Sequence, residues 1–370
     1  MRFPVDQLIF GPEDVDLSHS PLAGYLDRET YVLGAFNPGL TRLGNGNLLI
    51  MVRIAEALRN PVENGYIHSI RFADGSYVCD AWPLDSVDIS DPRVFSLNQA
   101  NWKTLALTSM SWLLPVELSP DGLRVEAVHY DRIIAPAGNW QCYGVEDARI
   151  SNVEGRWLMT TCSVSPERQA TSLYSSANAL DWKFESIVLD HQNKDMLIFE
   201  GQIDGMYWAQ TRPLGDLYFA YPPDSPWRAG PSINLATSYD AFHWKPHINP
   251  GIRPHAATTM RIGGGAPPIR FEDGWLSLWH GVEPNDGVGT YRTYWSLLDG
   301  KNPSLILRTD HKPILEPNDM LIQPLAHRIY LRDIVFTTGI ADAGDHFIVA
   351  SGEADLACRI THIPKTSFTN

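Results

Sequence analysis

Two adjacent carboxylates and an arginine, Glu146, Asp147 and Arg149, lie within the run Gly144-Val145-Glu146-Asp147-Ala148-Arg149-Ile150. The apolar Val, Ala and Ile draw this segment inward, where charge must be compensated. A carboxylate beside an arginine stays ionised, whereas one buried beside a second carboxylate can hold its proton near neutral pH. The second state is what a general acid requires. Asp147 is therefore a candidate acid; the competing reading of the heptad is a structural salt bridge. Polar residues also close several apolar runs: Arg53 and Glu56, Arg212, His280 and Glu283, Ser351 and Glu353. One or two polar groups from each of several strands would build a pocket for a polyhydroxyl ligand, although a single such group can merely cap a sheet.

Metal chemistry is not expected. Cys79, Cys142, Cys162 and Cys358 form no C-x-x-C pair. His243 and His247 are separated by Trp244 and Pro246 in a segment without helical pattern. The run Gly263-Gly264-Gly265 lacks the G-x-x-x-x-G-K-[ST] pattern of a phosphate loop. It reads instead as a strand entry where backbone must approach closely.

The elements that must position these groups recur. A Gly turn followed by an apolar run appears at Gly46, Gly155, Gly205, Gly274 and Gly344. Such turns ahead of apolar runs are hairpin signals. The last four are 50 to 70 residues apart, the size of a four-stranded sheet with loops, and the first gap is 109 residues. Two further runs end alike, at Trp182 and Trp244. Helical periodicity is nearly absent. The expected fold is all-β, a five-bladed β-propeller, rather than a sandwich. One domain spans 1–370, with an insertion in the first blade at about 57–140, and residues 1–30 wrap or close the ring.

Composition narrows the class. The 370 residues carry a net charge of −14, with 12 Trp and 27 Pro. The acidic balance argues against nucleic acid as a partner. No run of about 18 apolar residues suggests a membrane span. The start, MRFPVDQLIF, has no signal-like pattern, so a cytoplasmic protein with free thiols is expected. Trp157, Trp208, Trp275, Trp279, Trp182 and Trp244 are read as packing. Trp82, Trp102, Trp112 and Trp140 of the insertion, with Trp227 and Trp295, are read as sugar-stacking candidates.

Five segments in order, AFNPGLTRLGNGNLLIMVR, GVEDARI, NKDMLIFEGQIDGMYWAQTRP, GGGAPPIRFEDGWLSLWHGVE and IVFTTGIADAGDHFIVASGEADLACRITH, together resemble glycoside hydrolase family 130. That family comprises β-mannoside phosphorylases and mannosidases on a five-bladed propeller. The resemblance implies inverting cleavage of a β-mannoside. The family's acid falls on Asp147, with Ala148 replacing its usual Pro, and acts through a sugar-hydroxyl relay. Asn37, Arg53, Glu146, Arg149, Lys194, Asp195 and Tyr291 fall at sugar-binding or site-shaping positions. Arg149, Arg212, His280 and Tyr294 fall on the anion-binding wall.

Phosphorolysis needs cations, and hydrolysis needs a carboxylate to activate water. The family's Phe-Pro-Glu-Lys-Ile reads Phe199-Glu200-Gly201-Gln202-Ile203 here, and Asp333 replaces an expected Asn. Glu200 and Asp333 are thus candidate bases, and hydrolysis is the leading expectation. The alternative is phosphorolysis to mannose 1-phosphate, with inorganic phosphate as co-substrate and no other cofactor. A non-catalytic sugar-binding propeller and a mannosyltransferase are further alternatives. An invertase-type enzyme is disfavoured because Phe36-Asn37-Pro38 lacks its Asp. The expected partner is a β-mannoside oligosaccharide, with oligomerisation open.

Overall fold

The computed structural model describes residues 3–97, 104–213, 232–247, 251–255, 258, 261–285 and 288–369. Five antiparallel sheets follow one another along the chain. Sheet I pairs Thr30–Arg42, Leu48–Leu58, Ser109–Leu118 and Val125–Val128. Sheet II holds Val145–Val153, Arg156–Val164, Gln169–Ser176 and Lys183–Leu189, and sheet III Asn193–Ile198, Tyr207–Pro213, Asn234–Ser238 and Lys245–Pro246. Sheet IV holds Arg261–Gly264, Gly274–Glu283, Thr290–Asp299 and Ile306–Thr309, with Ile269–Phe271 also paired to its second strand. Sheet V holds Val335–Asp342, His346–Glu353 and Ala357–Pro364, and takes its last strand, Val5–Phe10, from the N-terminus.

Second strands such as Leu48–Leu58 read as continuous apolar runs because both faces are covered. The cores follow the chain in a cycle. Met51 and Leu113 meet Ile150 and Met159 between sheets I and II, and Leu158 and Leu173 meet Met196 and Ile198 between II and III. Trp208 and Leu235 meet Trp275 and Trp279 between III and IV. Leu276 and Leu297 meet Phe347 and Val349 between IV and V, and Ile348 and Ile360 meet Leu48 and Ile50 between V and I. The segment between the second and third strands of sheet I forms two small three-stranded sheets, which pack Ile67, Phe95 and Ala106 on Val164 of sheet II and on Cys142 and Tyr143 just before it.

Three expectations change. Gly46, Gly155, Gly205 and Gly344 adopt positive φ as turn residues, but Gly274 begins a strand and Glu272 takes the left-handed position (φ 51°). The strands after these turns are second in each sheet; Arg53 and Arg212 on them reach a common cavity, but Glu56, Glu283 and Glu353 do not. They are tied to Ser20 and Trp112, to Tyr294 and Arg292, and to Arg359. Trp112 and Trp295 are buried core residues, not stacking surfaces: Trp112 donates to Glu56 and Trp295 packs edge-on against Phe368. Trp102 and Trp227 lie outside the described residues. The Trp182 and Trp244 turns are equivalent, each built on an Asx residue (Asn178, Asp240) and a left-handed alanine (Ala179, Ala241). The four cysteines are free thiols. Among the described residues no helix is long and apolar enough to cross a membrane, and no group of three His, Cys, Asp or Glu is arranged for a metal.

Candidate active site

The first strands of sheets I, II and III share one irregularity. Their pairing register slips between Phe36 and Gly39, between Glu146 and Arg149, and between Lys194 and Leu197. At each slip one residue takes left-handed backbone: Asn37 (φ 49°), Asp147 (51°) and Asp195 (53°). Asn and Asp tolerate this region best among non-glycine residues. A bulge bends the strand and re-aims a side chain, and here all three aim into one cavity of about 420 Å³.

Charges around Asp147 are closely matched. Its Oδ1 accepts from Asn37 Nδ2 at 2.9 Å and from Arg53 Nη1 at 3.0 Å. Arg53 also donates to Glu146 at 2.8 Å and to Ser111 at 3.0 Å. Lys194 Nζ donates to the other Glu146 oxygen at 3.2 Å. Beneath them the buried Arg149 donates to the Asp147 carbonyl at 2.9 Å and to the Gly265 carbonyl at 2.6 Å, and faces Asp195 at 3.6 Å. Burial alone would raise the Asp147 carboxyl, but Arg53, Arg149 and Lys194 outweigh it and hold the group well below the usual carboxylate range. This corrects the expectation that a neighbouring carboxylate keeps Asp147 protonated. Glu146 is itself ion-paired with both Arg53 and Lys194.

A second group adjoins the first. Arg212 Nε stands 3.1 Å from Asp195, and its Nη1 is 3.3 Å from His280 Nε2. Burial pushes His280 down to about 3 against the pull of Asp195. The ring is therefore neutral: Nδ1–H donates to the Gly264 carbonyl at 3.2 Å, which leaves Nε2 to accept from Arg212. A Cβ on Gly263 would sit 2.4 Å from the His280 ring, so only glycine lets the strand pass, in line with the close approach read from the triple-glycine run. Arg212 lines the cavity, whereas His280 stands behind it as a positioning residue. Tyr291 lines the cavity too and accepts from Arg261 at 2.8 Å.

Other candidates fall elsewhere. Glu200 accepts from the Asn152 backbone at 3.3 Å. Asn152 is five residues beyond Asp147 on the same strand, roughly 15 Å away at strand rise, against the 6.5–9.5 Å of an inverting acid–base pair. Burial raises Glu200 to about 7, but it does not border the cavity, and neither does Gln202. Asp333 points to solvent: its carbonyl accepts from Tyr291 N at 2.8 Å, and only the next residue, Ile334, lines the cavity. Tyr294 is three positions from Tyr291 on one strand and so faces the opposite side. It stacks on Trp279 at 4.8 Å and donates to Glu283 at 3.0 Å.

Among the lining residues that escaped the sequence reading are Arg93, Arg261, Tyr330 and Asp355. Asp355 follows the polar strand end at Glu353 and sits in left-handed backbone (φ 50°), a usable signal. Burial raises it to about 6, with Arg53 opposing and Asp147 adding. Arg93 comes from the insertion and is gripped by Asp91 through two contacts at 3.0 and 2.8 Å. Nothing in its spacing marks it.

A deep, polar cavity lined by paired carboxylates and arginines, on an all-β frame, defines a carbohydrate-active enzyme. A family profile described as β-1,4-mannooligosaccharide phosphorylase matches residues 108–369. The chain belongs to glycoside hydrolase family 130. It is 29% identical over 343 residues to a β-1,2-mannobiose phosphorylase of Listeria innocua, covering 88% of this chain and 87% of that one. A 1,2-β-oligomannan phosphorylase of Thermoanaerobacter is 31% identical over 215 residues, covering 57% of this chain and 65% of that one. The crystal structure of the Listeria enzyme with β-1,2-mannobiose superposes with a TM-score of 0.81 at 26% identity, covering 97% and 95% of the two chains. Membership of an enzyme family sets aside the non-catalytic reading. The relatives are named phosphorylases, which take inorganic phosphate as co-substrate, so phosphorolysis is favoured over the hydrolysis expected from Glu200 and Asp333.

Proposed function

We propose that this chain is an inverting β-mannoside phosphorylase whose substrate is β-1,2-mannobiose or a short β-1,2-oligomannan. The five sheets are read as blades of one propeller over 1–370, with 57–140 inserted in the first; the cyclic order of shared cores supports this. The observation that carries the function is the cationic wall beside Asp147. Lys194, Arg212 and Arg261 border the cavity with Tyr291, and such donors suit phosphate.

Asp147 acts as the general acid, reaching the glycosidic oxygen through a sugar hydroxyl. A bound phosphate dianion offsets Arg53, Arg149 and Lys194 and so raises the Asp147 carboxyl toward a protonated state. A phosphate oxygen attacks C1 from the opposite face as the C1–O bond breaks. The proton lost by hydrogen phosphate balances the one gained by the departing sugar, and α-mannose 1-phosphate results.

Asp355 supports a second reading, because a buried carboxylate near 6 facing the cavity would suit a base for water. The reverse reaction separates the two. Mannose 1-phosphate plus mannose should yield β-1,2-mannobiose and free phosphate, with the linkage read by NMR. Failure to form any disaccharide while mannobiose is cleaved would overturn phosphorolysis.

A further inference from the structure

A second cleft of about 490 Å³ lies between the insertion and sheet II, outside the cavity just described. Its floor is Trp140, 37% exposed. The indole lies against the backbone of Gly138, where a Cβ would stand 2.2 Å from the ring. Phe184 backs it at 5.7 Å and 31°. Asp74, Asn139, Glu167 and Arg168 surround it. Arg168 forms exposed ion pairs with Asp190 at 2.8 Å and Glu167 at 3.2 Å. An exposed aromatic face rimmed by planar polar groups matches a pyranose, which offers C–H bonds on one face and hydroxyls at its edge.

Position says which sugar. Val164 and Gln169 pair at the end of one hairpin and line the catalytic cavity, while Ser165 and Arg168 of its turn line the cleft. Paired strands are only ~5 Å apart, so a chain leaving the cavity crosses one hairpin to reach Trp140. We infer that this cleft is a subsite for β-mannan residues distal to the bond cleaved, which makes the enzyme selective for chain length. The inference rests on the mannoside activity proposed above.

The test compares kcat/KM for β-1,2-mannobiose and β-1,2-mannotetraose in wild type, Trp140→Ala and Asn139→Ala, all with phosphate. Trp140→Ala should lower the tetraose value about 3–10-fold and leave mannobiose within about twofold. Asn139→Ala, at an exposed position, should move the same ratio less. Equal losses on both substrates in both variants, or no change in either, would overturn the subsite. If wild type cleaves neither sugar, the proposed activity fails; titrating mannotetraose against indole fluorescence in wild type and Trp140→Ala then still decides the cleft. Quenching only in wild type supports it, and the same quenching in both, or in neither, overturns it.

Discussion

Asp147 and Glu200 stand at opposite ends of neighbouring strands and are held in opposite states. At the cavity end, Asp147 is buried among Arg53, Arg149 and Lys194, and its carboxyl lies well below the usual range. At the far end, Glu200 has a single backbone donor, and burial raises it to about 7. Both are carboxylates in motifs that looked chemical. The difference is compensation. Arg53, Arg149 and Lys194 converge on Asp147, whereas burial acts on Glu200 against one backbone donor, so one carboxylate is part of a charged machine and the other is a local cost to stability.

The largest effect that could break this contrast is at the cavity end. Asp147→Asn should lower kcat about 10²–10⁴-fold with an unchanged circular-dichroism spectrum; retention of substantial activity would remove Asp147 from the acid role. Next comes the anion wall. Arg261→Gln should raise the KM for phosphate about tenfold with a smaller change for mannoside; equal changes in both would mean Arg261 acts on the sugar. The smallest effect is expected at the far end. Glu200→Gln should leave kcat/KM within about twofold, and any larger loss would return Glu200 to the chemistry. It should also alter stability with a definite sign. The folded protein favours protonated Glu200, since the group titrates near 7 rather than 4.5. Stability therefore falls as pH rises through that window, and Gln avoids the loss. The variant should be more stable by about 1–3 kcal/mol at pH 8 and equal to wild type at pH 4, as read by urea melts.

Much of the site was legible because it is written in local runs. Glu146, Asp147 and Arg149 fall in one heptad, and Lys194 and Asp195 in one pair. The bulges were legible in principle: Asn37, Asp147 and Asp195 are the residue types that accept positive φ. Direction along a strand was not legible. Glu200 and Lys194 are six residues apart, and only knowing which end of Asn193–Ile198 meets the cavity separates them. Side was lost in the same way for Tyr291 and Tyr294. Arg93 and Trp112 show a third limit. Both come from the insertion or its border, yet one reaches the cavity and the other is buried against Glu56, an outcome fixed by contacts distant in sequence.

Phosphate dependence with β-1,2-mannobiose tests the central claim most directly. Phosphorolysis requires no cleavage without inorganic phosphate, saturation as phosphate is added, and one mannose 1-phosphate for each bond broken. Release of two mannoses per disaccharide, at a rate indifferent to phosphate, would contradict it.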